Sequence, residues 1–139
     1  ARELMRHPDL EVTGFEAAHN FAYTFETVSF LTKAHPGVKF VWIMGADSLA
    51  SFHHWRGWTQ IMCEIPVAVV SRPWISLKSR FSPAALRFAH FRRPSTEALR
   101  LADRKPPAWV FLFGRFNFQS STALRSRQAG QAVRRDLKV

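Results

Sequence analysis

The chain has 139 residues, with 20 lysines and arginines against 10 aspartates and glutamates and a formal net charge of +10. Its length fits one domain, residues 1–139, and its 47% hydrophobic content is ordinary for a globular protein. No apolar run approaches the ~20 residues that a membrane-crossing helix needs. The single cysteine, Cys63, excludes an internal disulfide framework and suits a reducing compartment, which points to the cytoplasm.

The elements expected from periodicity alternate along the chain. A strand is expected over residues 10–15, with Gly14 near its end. A helix follows over 24–34, with Val28, Leu31 and Ala34 on one face, and His35-Pro36-Gly37 stops it. Residues 38–44 read as the next strand. Its continuous apolar run from Phe40 to Met44 is that of a central parallel strand covered on both faces. Two short helices are expected at 48–52 and 58–64, and a strand at 66–71. Residues 73–107, with five prolines, read as irregular apart from one helix at 83–91. A last strand at 108–113 precedes a helix at 121–129, which Gly130 ends. Strands alternating with helices imply an α/β fold with a parallel sheet.

The charge excess lies wholly in the second half. Residues 1–71 carry 5 basic and 7 acidic side chains, residues 72–139 carry 15 and 3, and nine of the basic ones fall in 72–105. They are scattered among Phe81, Leu86, Phe88, Phe91 and Leu99 rather than gathered in a tract. A solvated basic face is the expected meaning, in preference to a nucleic-acid surface.

Three segments carry candidate chemistry. Phe118-Gln119-Ser120-Ser121-Thr122-Ala123-Leu124-Arg125 places small hydroxyl residues where a helix opens, with Arg125 one turn in. Unpaired N–H groups at a helix opening attract phosphate, and an arginine one turn on can grip it in a fork. A plain N-cap by Ser120 or Ser121 explains the same pattern. In Gly45-Ala46-Asp47-Ser48-Leu49, Asp47 stands just past the carboxyl end of a strand, the edge at which open α/β sheets bind ligands. Its carboxylate can accept from ribose hydroxyls, or can simply cap the helix expected near Ser48. The run Phe52-His53-His54-Trp55-Arg56-Gly57-Trp58 offers flat aromatic faces to a heteroaromatic ring; tucking those aromatics into the core is the ordinary alternative. The adjacent histidines lack the cysteine and acid spacing of a zinc site.

These segments resemble, in order, the motifs of the bacterial nicotinate-nucleotide adenylyltransferases of the nucleotidyltransferase superfamily. Tyr23-Thr24-Phe25-Glu26-Thr27 is similar to the family's Tyr-Thr-x-Asp-Thr, with Glu26 in place of aspartate. Gly45-Ala46-Asp47 resembles its Gly-x-Asp block, Phe52-His53-His54-Trp55 its Phe-x-x-Trp, and Ser120 to Arg125 its Ser-Ser-Thr-x-Ile/Leu-Arg signature. Arg72-Pro73 resembles the strand end before the family's variable region. The likeness covers most of residues 10–130.

The resemblance implies a Rossmann-like nucleotidyltransferase fold and adenylyl transfer from ATP to nicotinate mononucleotide, with Mg²⁺ carried on the ATP phosphates. By the same resemblance Ser120, Ser121, Thr122 and Arg125 hold the ATP phosphates, Gly45 and Asp47 lie by the nucleotide ribose, and Tyr23, Thr24, Trp55 and Arg56 form the nicotinate pocket. Arg72 is a weaker candidate for the phosphate region. The family's amino-terminal glycine-rich turn and His-x-Gly-His-type pair have no counterpart in these 139 residues. The expectation is therefore of an amino-terminally incomplete domain, with no catalytic residue of its own and no turnover alone. No nucleic-acid or membrane partner is expected, and homo-oligomerisation is left open. The alternatives are a sister transferase with another phosphorylated substrate, a basic nucleic-acid-binding fragment and an inactive fragment.

Overall fold

The protein is seen in a computed structural model, which describes residues 8–9, 11–71 and 79–113. Its elements are α1 (Phe15–Ala18), α2 (Thr24–Ala34), β1 (Trp42–Gly45), α3 (Ala46–Ser51), α4 (Trp58–Glu64), β2 (Val67–Ser71), α5 (Pro83–Arg87), β3 (Arg92–Arg93) and β4 (Trp109–Phe113). Tight 3-10 turns occupy Phe52–His54, Ala89–Phe91 and Ser95–Asp103. The four strands are parallel in the order β1-β2-β4-β3. Gly45 lies level with Val70, and Val70 with Leu112, so the carboxyl ends of the three longer strands form one edge.

Period-two alternation in the strands supplies the two faces. Val67, Val69, Trp109 and Phe111 point into the larger core with Met44, Leu49, Phe52, Ile61, Met62 and Phe88. Ala68 and Val110 point the other way, against Leu101 of the 95–103 segment. Trp109 anchors the larger core: it is 1% exposed, and its indole N–H donates to the Phe88 carbonyl at 2.8 Å. Ser82 caps α5 by accepting from the Ala85 N–H at 3.3 Å, with Pro83 in the first turn.

Several sequence expectations need correction. Residues 11–14 form no strand, and Phe15–Ala18 is a helical turn. The Phe15 ring packs instead among His19, Phe21 and Phe30, with centroids 4.2 to 6.1 Å away. That local aromatic cluster outweighs strand propensity where no neighbouring strand offers a ladder. The strand expected from residue 38 starts at Trp42. It is an edge strand among the described residues, with Met44 buried and Ile43 68% exposed, not a strand covered on both faces. The helix expected from residue 48 begins two residues earlier, directly from the strand. The helix expected at 83–91 breaks at Phe88 into a 3-10 turn. The described part of this stretch, residues 79–107, is more regular than its prolines suggest, because residues 95–103 wind along the second face.

Candidate active site

Helix α2 runs into β1, so its last turn lies at the amino end of the sheet. Its 11 residues span about 16 Å, which carries Thr24 to the carboxyl edge. Glu26 fixes the start: its carboxylate accepts from the N–H groups of Ala22 and Tyr23 at 2.9 and 3.0 Å. This is the return half of a capping box, and the longer arm of glutamate performs it. Tyr23 itself does not cap the helix through its side chain. Deeper in, Ser29 donates to Glu64 at 2.7 and 2.8 Å, and the Gln60 amide reaches both. These bonds lock α2 alongside α4.

The Phe52–Gly57 turn is held against the start of α2. Gly57 adopts φ +68°, and a Cβ there would lie 2.5 Å from Phe25 Cγ. Only glycine permits both the left-handed backbone and the close approach of that ring. The Arg56 guanidinium then sits over the Tyr23 ring at 4.9 Å, and Tyr23 stacks on Phe25 at 6.1 Å. Trp55 is half-buried. It meets Phe52 edge-to-face at 5.3 Å and packs on the larger core, which leaves part of its surface free. The structure therefore brings Tyr23, Thr24, Trp55 and Arg56 together, although about thirty residues separate the two segments.

At the end of β1, Gly45 is the N-cap of α3 and Asp47 lies in its first turn. The Asp47 carboxylate folds back over Gly45, where any Cβ would collide with it. Asp47 is exposed and makes no side-chain cap hydrogen bond. The capping alternative is thus not what the side chain does. The Nδ1 of His53 is buried without a hydrogen-bond partner among the described residues. Those residues contain no group of three or more histidine, cysteine or acidic side chains that could hold a metal. Ser120, Ser121, Thr122, Arg125 and Arg72 lie outside the described residues.

The basic residues of 72–105 that the structure describes are exposed except for half-buried Arg92, as expected of a solvated face. Within that face Arg80, Arg92 and Arg93 line one open cleft, with Arg92 over the rings of Trp109 and Phe111. The signal was the interleaving of arginines with aromatics, which a charge count does not weigh.

The model of the cytidylyltransferase-like family matches residues 5–127. The chain belongs to that family. It is 60% identical over 127 residues to a probable nicotinate-nucleotide adenylyltransferase of a Caulobacter species, covering 91% of this chain and 67% of the relative. Like-named proteins of Cereibacter sphaeroides and Methylorubrum extorquens are 48% and 46% identical, covering 95% and 91% of this chain and 70% and 69% of theirs. The chain thus spans about two thirds of the length of these relatives. Among the described residues no helix is long and apolar enough to cross a membrane.

Proposed function

We propose that this domain transfers the adenylyl group of ATP to nicotinate mononucleotide, giving the deamido dinucleotide and pyrophosphate. The observation that carries the reading is the meeting of the α2 start with the Trp55–Arg56 turn at the carboxyl edge of a parallel sheet. The names of the relatives support it. A phosphate oxygen of the mononucleotide attacks the α-phosphorus of ATP, and the bond to the pyrophosphate oxygen breaks. The nucleophile is already an anion, so no protein base is required. Catalysis then rests on placement and on stabilising charge.

Trp55 offers its free face to the pyridine ring. Backbone N–H groups at Thr24, at a helix start, and at Arg56 take the ring's carboxylate. Asp47, free of cap duty, faces the ribose hydroxyls. Ser120, Ser121, Thr122 and Arg125 hold the ATP phosphates, with Arg72 at their margin. Mg²⁺ arrives on those phosphates, as a hard cation that needs few protein oxygens. The setting is the cytoplasm, where Cys63 stays reduced, and the whole acts as one domain.

Direct binding tests the pocket without requiring turnover. Nicotinate mononucleotide titrated onto the chain should quench tryptophan fluorescence. Trp55→Ala should weaken binding about tenfold or more, the equivalent of a 1–3 kcal/mol stack. The amide analogue should bind less well, because its NH₂ group would face backbone donors. If Trp55→Ala lowers the melting temperature sharply and leaves binding and acid preference unchanged, Trp55 is a core residue and the pocket assignment fails.

A further inference from the structure

Beside the carboxyl half of β4 lies an open cleft of about 470 Å³ whose walls include Arg80, Arg92, Arg93, Ser95, Phe111 and Phe113. Strand β3 pairs only with Trp109 and Val110, so it stops short and leaves this stretch of β4 open on that side. Aromatic rings position the guanidiniums. Arg92 lies over Trp109 at 5.4 Å and over Phe111 at 5.5 Å, and Arg80 over Phe113 at 6.0 Å. A guanidinium held over an aromatic ring still has N–H groups free to donate.

Among the described residues no carboxylate pairs with any of the three arginines. The two acids that follow Arg93 in sequence are engaged elsewhere, Glu97 by Arg104 and Asp103 by Lys39. Partial burial, and after it the charge of Arg80, hold the Arg92 guanidinium below the usual arginine value. A guanidinium partly withdrawn from water beside a like charge is unfavourable unless an anion joins them. The described residues supply none, yet Trp109 and Phe111 keep Arg92 in place. The three arginines gather at one open cleft rather than running in a line along the surface, which favours a compact ligand over a polynucleotide.

We propose that this cleft is an anion site for a phosphate-bearing small molecule, with one phosphoryl group bridging Arg80 and Arg92 and a second reaching Arg93 and Ser95. The diphosphate chemistry admits two sources: the pyrophosphate part of a nucleoside triphosphate, or a separate phosphorylated metabolite.

The test is titration of the ¹⁵N-labelled 139-residue chain with inorganic pyrophosphate, following the arginine Nε–H signals by NMR. The Arg80 and Arg92 signals should shift together along one binding curve. Arg80→Ala and Arg93→Ala, both at exposed positions, should each weaken that curve about tenfold, the value of one charge-assisted contact. Arg92→Lys keeps a charge but loses the stacked fork, and should fall between these variants and the parent. Repeating the titration in Arg125→Ala separates the sources. Unchanged shifts mark a site of its own, and a joint loss marks one continuous triphosphate site. Arg80 and Arg92 signals that stay still would overturn the proposal. So would an affinity that Arg80→Ala leaves untouched, or shifts produced by a single-stranded oligonucleotide and not by pyrophosphate.

Discussion

At the amino ends of the strands Lys39 bonds Asp103 and Arg104 bonds Glu97, whereas Asp47 at the carboxyl end of β1 and Arg80, Arg92 and Arg93 around the cleft beside β4 have no opposite charge among the described residues. Both ends belong to one small sheet and draw on the same residue types, so composition does not explain the contrast. Charges that serve only folding and solubility can pair across a loop, as they do at the amino end. The charges around Asp47 and the β4 cleft, one of them partly buried, are left single by the described fold. They make sense when a ligand completes them, at the edge where parallel sheets bind ligands.

The largest expected effect comes from the residue that links the two ends. Trp109 starts β4 at the amino end, yet its ring carries Arg92 and its indole satisfies the Phe88 carbonyl. Trp109→Ala should cost about 3–5 kcal/mol in denaturant unfolding, from the cavity alone. It should also release Arg92, so pyrophosphate binding at the cleft should weaken even where the variant remains folded. A loss under about 1 kcal/mol would mean that the core does not hang on this strand.

A smaller effect, confined to the carboxyl end, is expected at Gly57. Alanine there must adopt a left-handed backbone and push against Phe25. The cost should be about 1–3 kcal/mol in thermal melting. Binding of nicotinate mononucleotide should fall as the Thr24 and Arg56 segments separate, while the Lys39–Asp103 contact stays as it was. A variant that melts as the parent does and binds as tightly would show that the two segments do not depend on this approach.

How much of this was legible in the chain follows from how local each feature is. Helix 24–34 was read with its bounds intact, because its apolar spacing and the His35-Pro36-Gly37 stop are local signals. The strands ending at Ser71 and Phe113 were found within a residue at each end, since short apolar runs between breakers leave little freedom. The strand expected at 10–15 failed because a strand needs a neighbour, and Phe15 found aromatic partners close by in sequence. The Tyr23, Thr24, Trp55 and Arg56 grouping came from resemblance. The physical reason for it, Gly57 yielding space to Phe25, lies in a left-handed backbone that no periodicity reveals. The arginine cleft was hidden for a similar reason. Arg80 and Arg92 are twelve residues apart and meet only because β3 is laid beside β4.

The smallest expected effect is at the amino end, where the charges are paired. Asp103 is held below the ordinary aspartate value, first by the hydrogen bond from Lys39, next by that cation's charge, with burial opposing and Arg100 and Arg104 helping. A carboxylate whose folded value is depressed adds stability at pH above its unfolded value, and loses it as pH falls through the folded one. Asp103→Asn should therefore melt slightly below the parent at neutral pH and converge with it in acid. The neutral difference should shrink with added salt, because both side chains are largely exposed. Lys39→Met should return the Asp103 carboxyl titration, followed by ¹³C NMR, toward the ordinary range. Neither change should alter the binding of pyrophosphate or nicotinate mononucleotide. If Asp103→Asn weakens either ligand, the two ends of the sheet are not electrostatically separate. The unpaired arginines would then have to be explained as part of one charge network spanning the domain rather than as sites awaiting an anion.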